Sequence, residues 1–126
     1  MTRLLWICLA GAAGTAARYL VAIWAAERLG TVFPYGTLIV NITGCFVIAA
    51  LMQASLVLGW PATLRVAVTI GFVGGFTTYS SFNYETMRLL EEGAPATAFA
   101  NVALTLVGGA LAGWFGLLVT RIALER

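Results

Sequence analysis

The sequence predicts an all-α membrane protein with four transmembrane helices, the third of them broken at mid-membrane. Three observations predict it. Of 126 residues, 61% are hydrophobic and 10% are charged, and mean hydropathy is +0.96, more apolar surface than a soluble domain of this length can bury. Four apolar runs separated by short turns each reach the ~20 residues that cross a bilayer core of ~30 Å. The third run is interrupted at its centre by "GGFTTYSSF", residues 74–82, with adjacent glycines, clustered hydroxyls and three aromatics. Such a chain is a single transmembrane domain, with no room for a soluble module.

Span one covers about residues 4–26, and Glu27 and Arg28 mark the interface at its end. Its basic start and small residues have some signal-peptide character. The apolar run continues past Tyr19, which predicts a retained first helix. The loop "GTVFPYG" leads to span two, about 36–58, which ends at "GWP" with Trp60 as an interfacial anchor. Span three runs from Pro61, a suitable first-turn residue, to about 92. The turn "EEGAP" then leads to span four, about 95–121.

Span three departs from a simple helix over 74–82. Glycine costs ~1 kcal/mol in a helix interior, and Ser and Thr hydroxyls compete for backbone groups. A break there frees amides and carbonyls at membrane depth. Backbone at that depth is tolerated only where protein buries it or where it lines a polar cavity. The other reading is an intact helix whose small residues permit close packing.

The ionisable inventory excludes most chemistry. There is no His, Lys or Asp; the cations are Arg3, Arg18, Arg28, Arg65, Arg88, Arg121 and Arg126, and the acids are Glu27, Glu85, Glu91, Glu92 and Glu125. Most metal sites and hydrolytic triads need residues this chain lacks. No nucleophile–base pair is present, so enzymatic function is not expected. A dispersed net charge of +2 gives no footprint for nucleic acid. Cys8 and Cys45 lie within spans and read as small buried hydrophobes rather than a disulfide.

The polar residues fall in rows. Thr37 and Asn41 lie four apart on one face of span two. Asn101, Thr105 and Gly109 form a row on span four. With the hydroxyl-rich break, these read as the lining of a narrow path, or as interhelical hydrogen-bond glue. Arg18 lies roughly 21 Å along span one at ~1.5 Å per residue. It either snorkels to the interface or lines a vestibule that attracts anions. Glu85, in the second half of span three, reads as a vestibule-edge or packing carboxylate.

The elements "GxxGTAARY" (11–19), "GTLIVNITGC" (36–45) and "GFVGGFTTYSSFNYET" (71–86) together resemble the Fluc (CrcB) family of fluoride channels over essentially the whole chain. The resemblance implies a passive, fluoride-selective channel in the bacterial plasma (inner) membrane that exports cytoplasmic fluoride and confers fluoride resistance. It implies an antiparallel, dual-topology homodimer with two pores and a structural sodium ion at the dimer centre. By the same resemblance, Asn41, Tyr79, Phe82, Ser81, Thr37, Thr105 and Asn101 belong to the fluoride pore, and Arg18 and Glu85 to the vestibule. The resemblance also implies that the backbone carbonyls of Gly74 and Thr77 hold the sodium. Tyr79 stands where phenylalanine is usual, Asn101 where a tyrosine or histidine is expected, and Gly109 where a serine often completes the polar track.

Charge placement fits dual topology. One side carries Arg3, Arg65, Arg121 and Arg126; the other carries Arg28 and Arg88, with Arg18 as a third. That is a weak positive-inside bias. Two alternatives come from other classes. A small multidrug-type cation/proton exporter requires an intramembrane carboxylate in the first helix, and Glu27 at the helix end is the only candidate. A non-transporting assembly factor would explain the close-packing glycines but not the clustered donors and aromatics.

Overall fold

The structure, a computed structural model, describes residues 1–124. Arg126 and Glu125, counted above, lie outside the described residues. The chain is all-helical. Helix α1 spans Thr2–Leu29 and α2 spans Tyr35–Val57. The third crossing is assembled from α3 (Ala62–Val66), a π-helical segment (Ala67–Val73), α4 (Gly74–Phe76) and α5 (Tyr79–Glu91). Helix α6 spans Pro95–Leu124. Helices α1, α2 and α6 are each long and apolar enough to cross a membrane. With the bent third crossing they make a multi-pass membrane protein.

Each turn ends where the sequence permits it. Gly30, Gly59 and Gly93 have positive φ angles of 86°, 62° and 75°, and each follows directly on, or within two residues of, a helix end. Positive φ costs glycine nothing, so the chain leaves each helix without strain. Pro61 then sets the start of α3 and Pro95 the start of α6.

Two close helix contacts position everything else. Helix α2 packs chiefly against α6, and α1 packs against the π-helical segment and α4. Both contacts rest on missing side chains. A Cβ on Gly14 would fall on the Phe72 carbonyl, and one on Gly71 would press against Ile7 and Ala10. A Cβ on Gly116 would fall on the Phe46 carbonyl. In lipid, where no hydrophobic force drives helices together, such backbone approach is a main source of association. The π-helical segment begins just after Thr69's acceptor: the Thr69 hydroxyl donates to the Arg65 carbonyl at 2.8 Å. A hydroxyl competing for a backbone acceptor and a widened turn are a common pairing of local irregularities.

The break is shorter than the 74–82 expected from the sequence. Gly74–Phe76 is helical, and the helix resumes at Tyr79. Only Thr77 (φ −85°, ψ 158°) and Thr78 (φ −152°, ψ 113°) are extended. The helix runs on through Gly75, where α1 lies so close that a Cβ would meet the Gly11 carbonyl. Thr78 caps the new helix at once, its side-chain oxygen accepting the Ser81 amide at 3.2 Å. Both cysteines are free, Cys8 exposed and Cys45 half-buried. The expected burial of Cys8 therefore does not occur within one chain, because its face of α1 points outward.

The glycine contacts give a paired test. Gly14→Ala would drive a methyl into the Phe72 backbone, whereas a Cβ at Gly11 would meet its nearest neighbour at 3.6 Å, an ordinary contact. Thermal unfolding in detergent should show Gly11→Ala near the parent and Gly14→Ala destabilised by about 1–3 kcal/mol. Equal behaviour of the two would mean that α1 is not held by this contact.

Candidate functional site

The break leaves backbone groups that must be satisfied some other way, and that requirement builds the site. In a continuous helix the Thr78 amide would bond the Gly74 carbonyl. Here it is donated to Asn41 Oδ1 at 2.8 Å, and Asn41 Nδ2 donates back to the Thr78 carbonyl at 3.0 Å. The side-chain amide of Asn41 thus pairs with one residue's backbone as a neighbouring strand would. One Nδ2 proton remains. The Gly75 carbonyl, which would take the Tyr79 amide in a continuous helix, is met by Arg18 Nε at 3.1 Å. The Ser81 amide, which would reach the Thr77 carbonyl, goes to the Thr78 hydroxyl oxygen instead. The helical partners of both the Gly74 and Thr77 carbonyls are thereby diverted.

Two concavities flank this dipeptide. A groove of ≈ 370 Å³ is lined by Asn41, Gly74, Thr77, Tyr79, Phe82 and Thr105, among others. The Tyr79 and Phe82 rings stand one turn apart with centroids 5.7 Å apart and planes tilted by 54°. Phe82 is 7% exposed, while Tyr79 is 77% exposed on the surface of the single chain. Thr105 Oγ1 is buried and has no hydrogen-bond partner. Cys45 and Gly109 also line the groove, and a Cβ on Gly109 would sit 3.2 Å from Cys45 Sγ.

The second concavity, on the other side of Thr78, is a pocket of ≈ 130 Å³ lined by Arg18, Thr37, Ser81 and Glu85. It shares Thr37, Ser81 and Glu85 with a wider opening of ≈ 530 Å³ that reaches Tyr84 and Arg88. Within it Thr37 Oγ1 donates to Glu85 Oε1 at 2.7 Å. The other carboxylate oxygen, Oε2, is buried without a partner. Arg18 is therefore both a backbone cap and a cationic wall of this pocket.

The structure thus divides the residues singled out from the sequence into two groups. Asn41, Tyr79, Phe82 and Thr105 meet at the groove with Gly74 and Thr77. Thr37, Ser81, Arg18 and Glu85 meet at the pocket. Asn101 lines neither; it is fully buried between α6 and α5. Sequence reasoning passed over Thr78, which lines both concavities and receives Asn41. Its signal was a threonine directly before the resumed helix, a preferred N-cap residue. It also passed over Thr86, whose hydroxyl donates to the Phe82 carbonyl at 2.7 Å. No signal beyond a lone threonine marked that residue.

Among the described residues no cluster of His, Cys, Asp or Glu could hold a metal. The diverted carbonyls of Gly74 and Thr77 suit a hard cation, being hard oxygen donors on one short segment.

Three long apolar helices and a bent third crossing, with a groove lined by Asn41, Tyr79, Phe82 and Thr105 at the bend, define a multi-pass membrane protein. The comparisons are specific. Residues 5–117 match the family model described as CrcB-like protein, Camphor Resistance (CrcB). The chain belongs to this family. It is 50% identical over 123 residues, 96% of each chain, to the protein named Fluoride-specific ion channel FluC of Sorangium cellulosum (strain So ce56). It is 48% identical over 122 residues to the protein of that name from Anaeromyxobacter sp. (strain K), covering 96% of this chain and 97% of the relative. The protein of the same name from Geobacter sp. (strain M21) is 46% identical over 122 residues, covering 96% and 98%.

The Asn41–Thr78 pairing is directly testable. Asn41→Leu keeps the bulk but leaves the Thr78 amide and carbonyl without partners. Each orphaned group costs about 1–3 kcal/mol. The variant should unfold at lower temperature, and the Thr78 amide should lose its protection from hydrogen exchange. Retained protection would show that the helix break has another support.

Proposed function

We propose that the chain is a passive, fluoride-selective channel of the bacterial inner membrane, working as an antiparallel homodimer with two pores. The observation that carries this reading is the groove at the break. It gathers an amide N–H, a free hydroxyl and two aromatic rings along one face, without a carboxylate. The names of the relatives support it independently.

The chemistry follows from fluoride's size. It is small and holds its water tightly, so a dry passage must replace that water with donors. The remaining Asn41 N–H and the Thr105 hydroxyl supply two. Aromatic rings carry a positive edge. Tyr79 and Phe82, spaced i, i+3, present edges one above the other. Chloride is larger and is rejected by width. Arg18 draws anions into the pocket, where Thr37, Ser81 and Glu85 form the approach. Weak acid enters a cell as neutral HF, dissociates inside, and the anion leaves through the channel. No proton carrier is needed. Glu27, the only carboxylate on α1, is exposed at the helix end, which weighs against proton-coupled cation export.

The exposed Tyr79 supports the dimer. A ring of that size beside an open groove is completed by a second copy. A two-fold axis in the membrane plane would bring the Gly74 and Thr77 carbonyls of both chains together as four oxygens. A sodium ion at that point would neutralise dipoles that otherwise repel. The protein should then crystallise as an antiparallel pair with one density peak on the axis, at sodium-like distances from four carbonyls. Parallel subunits would overturn the proposal.

Transport tests the pore. Purified protein in liposomes should release fluoride without a proton gradient and retain chloride. Equal chloride efflux would refute selectivity. Phe82→Ile removes a ring edge but keeps apolar bulk. It should cut fluoride flux by about tenfold or more, since ~1.4 kcal/mol of barrier is a decade in rate and aromatic edge contacts are of that order. Tyr79→Phe keeps the edge and should remain within about twofold of the parent on the same scale.

A further inference from the structure

Asn101 has no exposed surface at all. Its Nδ2 donates to Thr86 Oγ1 at 2.9 Å, and Thr86 Oγ1 donates to the Phe82 carbonyl at 2.7 Å. The direction of this chain is fixed. A carbonyl oxygen carries no proton, so the Thr86 hydroxyl must donate to Phe82. Its oxygen can then only accept, so Asn101 must present its NH₂ group. Asn101 Oδ1 is left buried without a donor.

From this polarity we infer that Asn101 is a positioning residue for Phe82, acting through Thr86, and not a ligand of the transported anion. The inference rests on the fluoride-channel reading and assigns one more part of it. Two facts carry it. An ion in the groove has no surface of Asn101 to touch. The unpaired atom of Asn101 is an acceptor, which repels an anion. The same chain joins α6 to the turn of α5 that carries the buried ring. Phe82 and Thr86 are both buried, so the link operates without competing solvent. It ties the backbone of the turn from which the Phe82 ring reaches the groove. Thr105, one turn further along α6, is among the residues lining that groove, its Oγ1 buried without a hydrogen-bond partner. One helix thus supplies a ligand and, a turn away, the strut that aims a second.

The test uses variants that separate the two roles. Thr86→Val keeps the shape but removes the hydroxyl, and it frees the Asn101 NH₂. A positioning role predicts that fluoride efflux from liposomes falls about tenfold, the rate effect of one ordinary hydrogen bond. Thr86→Ser, which restores the hydroxyl, should recover parental flux. Asn101→Leu should match Thr86→Val, and the double variant should be no worse than either, as for residues acting as a unit. Full flux in Thr86→Val alongside loss in Asn101→Leu would overturn the inference and make Asn101 an anion ligand. If an apolar variant fails to yield a folded dimer, the parent protein decides. The Asn101 side-chain amide should show no through-hydrogen-bond coupling to ¹⁹F when fluoride is added, and a coupling would overturn the inference. Parental protein that moves no fluoride would instead refute the channel reading itself.

Discussion

Everything in this molecule depends on one constraint: backbone polar groups freed at membrane depth must find partners. The chain breaks a helix for only two residues, Thr77 and Thr78. Even so short a break diverts several backbone groups, and an unsatisfied one costs several kcal/mol in hydrocarbon. The solutions come from three places. Asn41 of α2 takes both polar groups of Thr78. Arg18 of α1 takes the Gly75 carbonyl. The Thr78 hydroxyl caps α5 from within the break. Each repair brings a polar side chain to the same depth. The site is the set of residues that repairs the break.

Those repairs require the helices to lie very close. Asn41 and Arg18 are 37 and 57 residues from their partners. They reach because α1 and α2 approach the third crossing at backbone distance. Gly14 and Gly75 provide that on the α1 side. On the α2 side a Cβ on Gly44 would collide with the Thr77 methyl. Glycine costs helix propensity at each position. Here the loss is offset by packing that lipid-facing Leu and Trp residues cannot supply. The small-residue spacing and the polar clamps are therefore one design, since neither holds the break without the other.

Much of this was legible in the sequence. Hydropathy marked four crossings, and the Gly, Thr and Ser cluster marked which one departs from regularity. The i, i+4 rows correctly put Thr37 and Asn41 on a face turned inward. What was not legible depends on contacts between distant residues. The break length is set by a cap and by Asn41, and no local propensity encodes the latter. The row of Asn101 and Thr105 looked like one lining. It divides because α5 crosses α6 there, so one turn of α6 faces the groove and the turn before it is sealed against Thr86. The π-helical turns of residues 67–73 left no pattern that hydropathy detects, since Ala, Val and Ile suit any helix.

Few donors near the break remain for an ion. Most polar groups near the break are already committed to protein. Asn41 has one N–H left, Arg18 spends its Nε on Gly75, Thr77's hydroxyl returns to Val73, and Thr78's hydroxyl is shared with Ser81. On the groove side Thr105 keeps a buried hydroxyl without a partner. A passage this sparse in donors cannot complete a full hydration shell around any ion with N–H and O–H groups alone. On the proposed channel reading, the aromatic edges of Tyr79 and Phe82 would then be part of the coordination rather than its background. Their orientation matters as much as a hydroxyl's, because the quadrupole reverses sign from edge to face. On the same reading, the buried Asn101–Thr86 link to the Phe82 backbone would matter to an ion that never touches it.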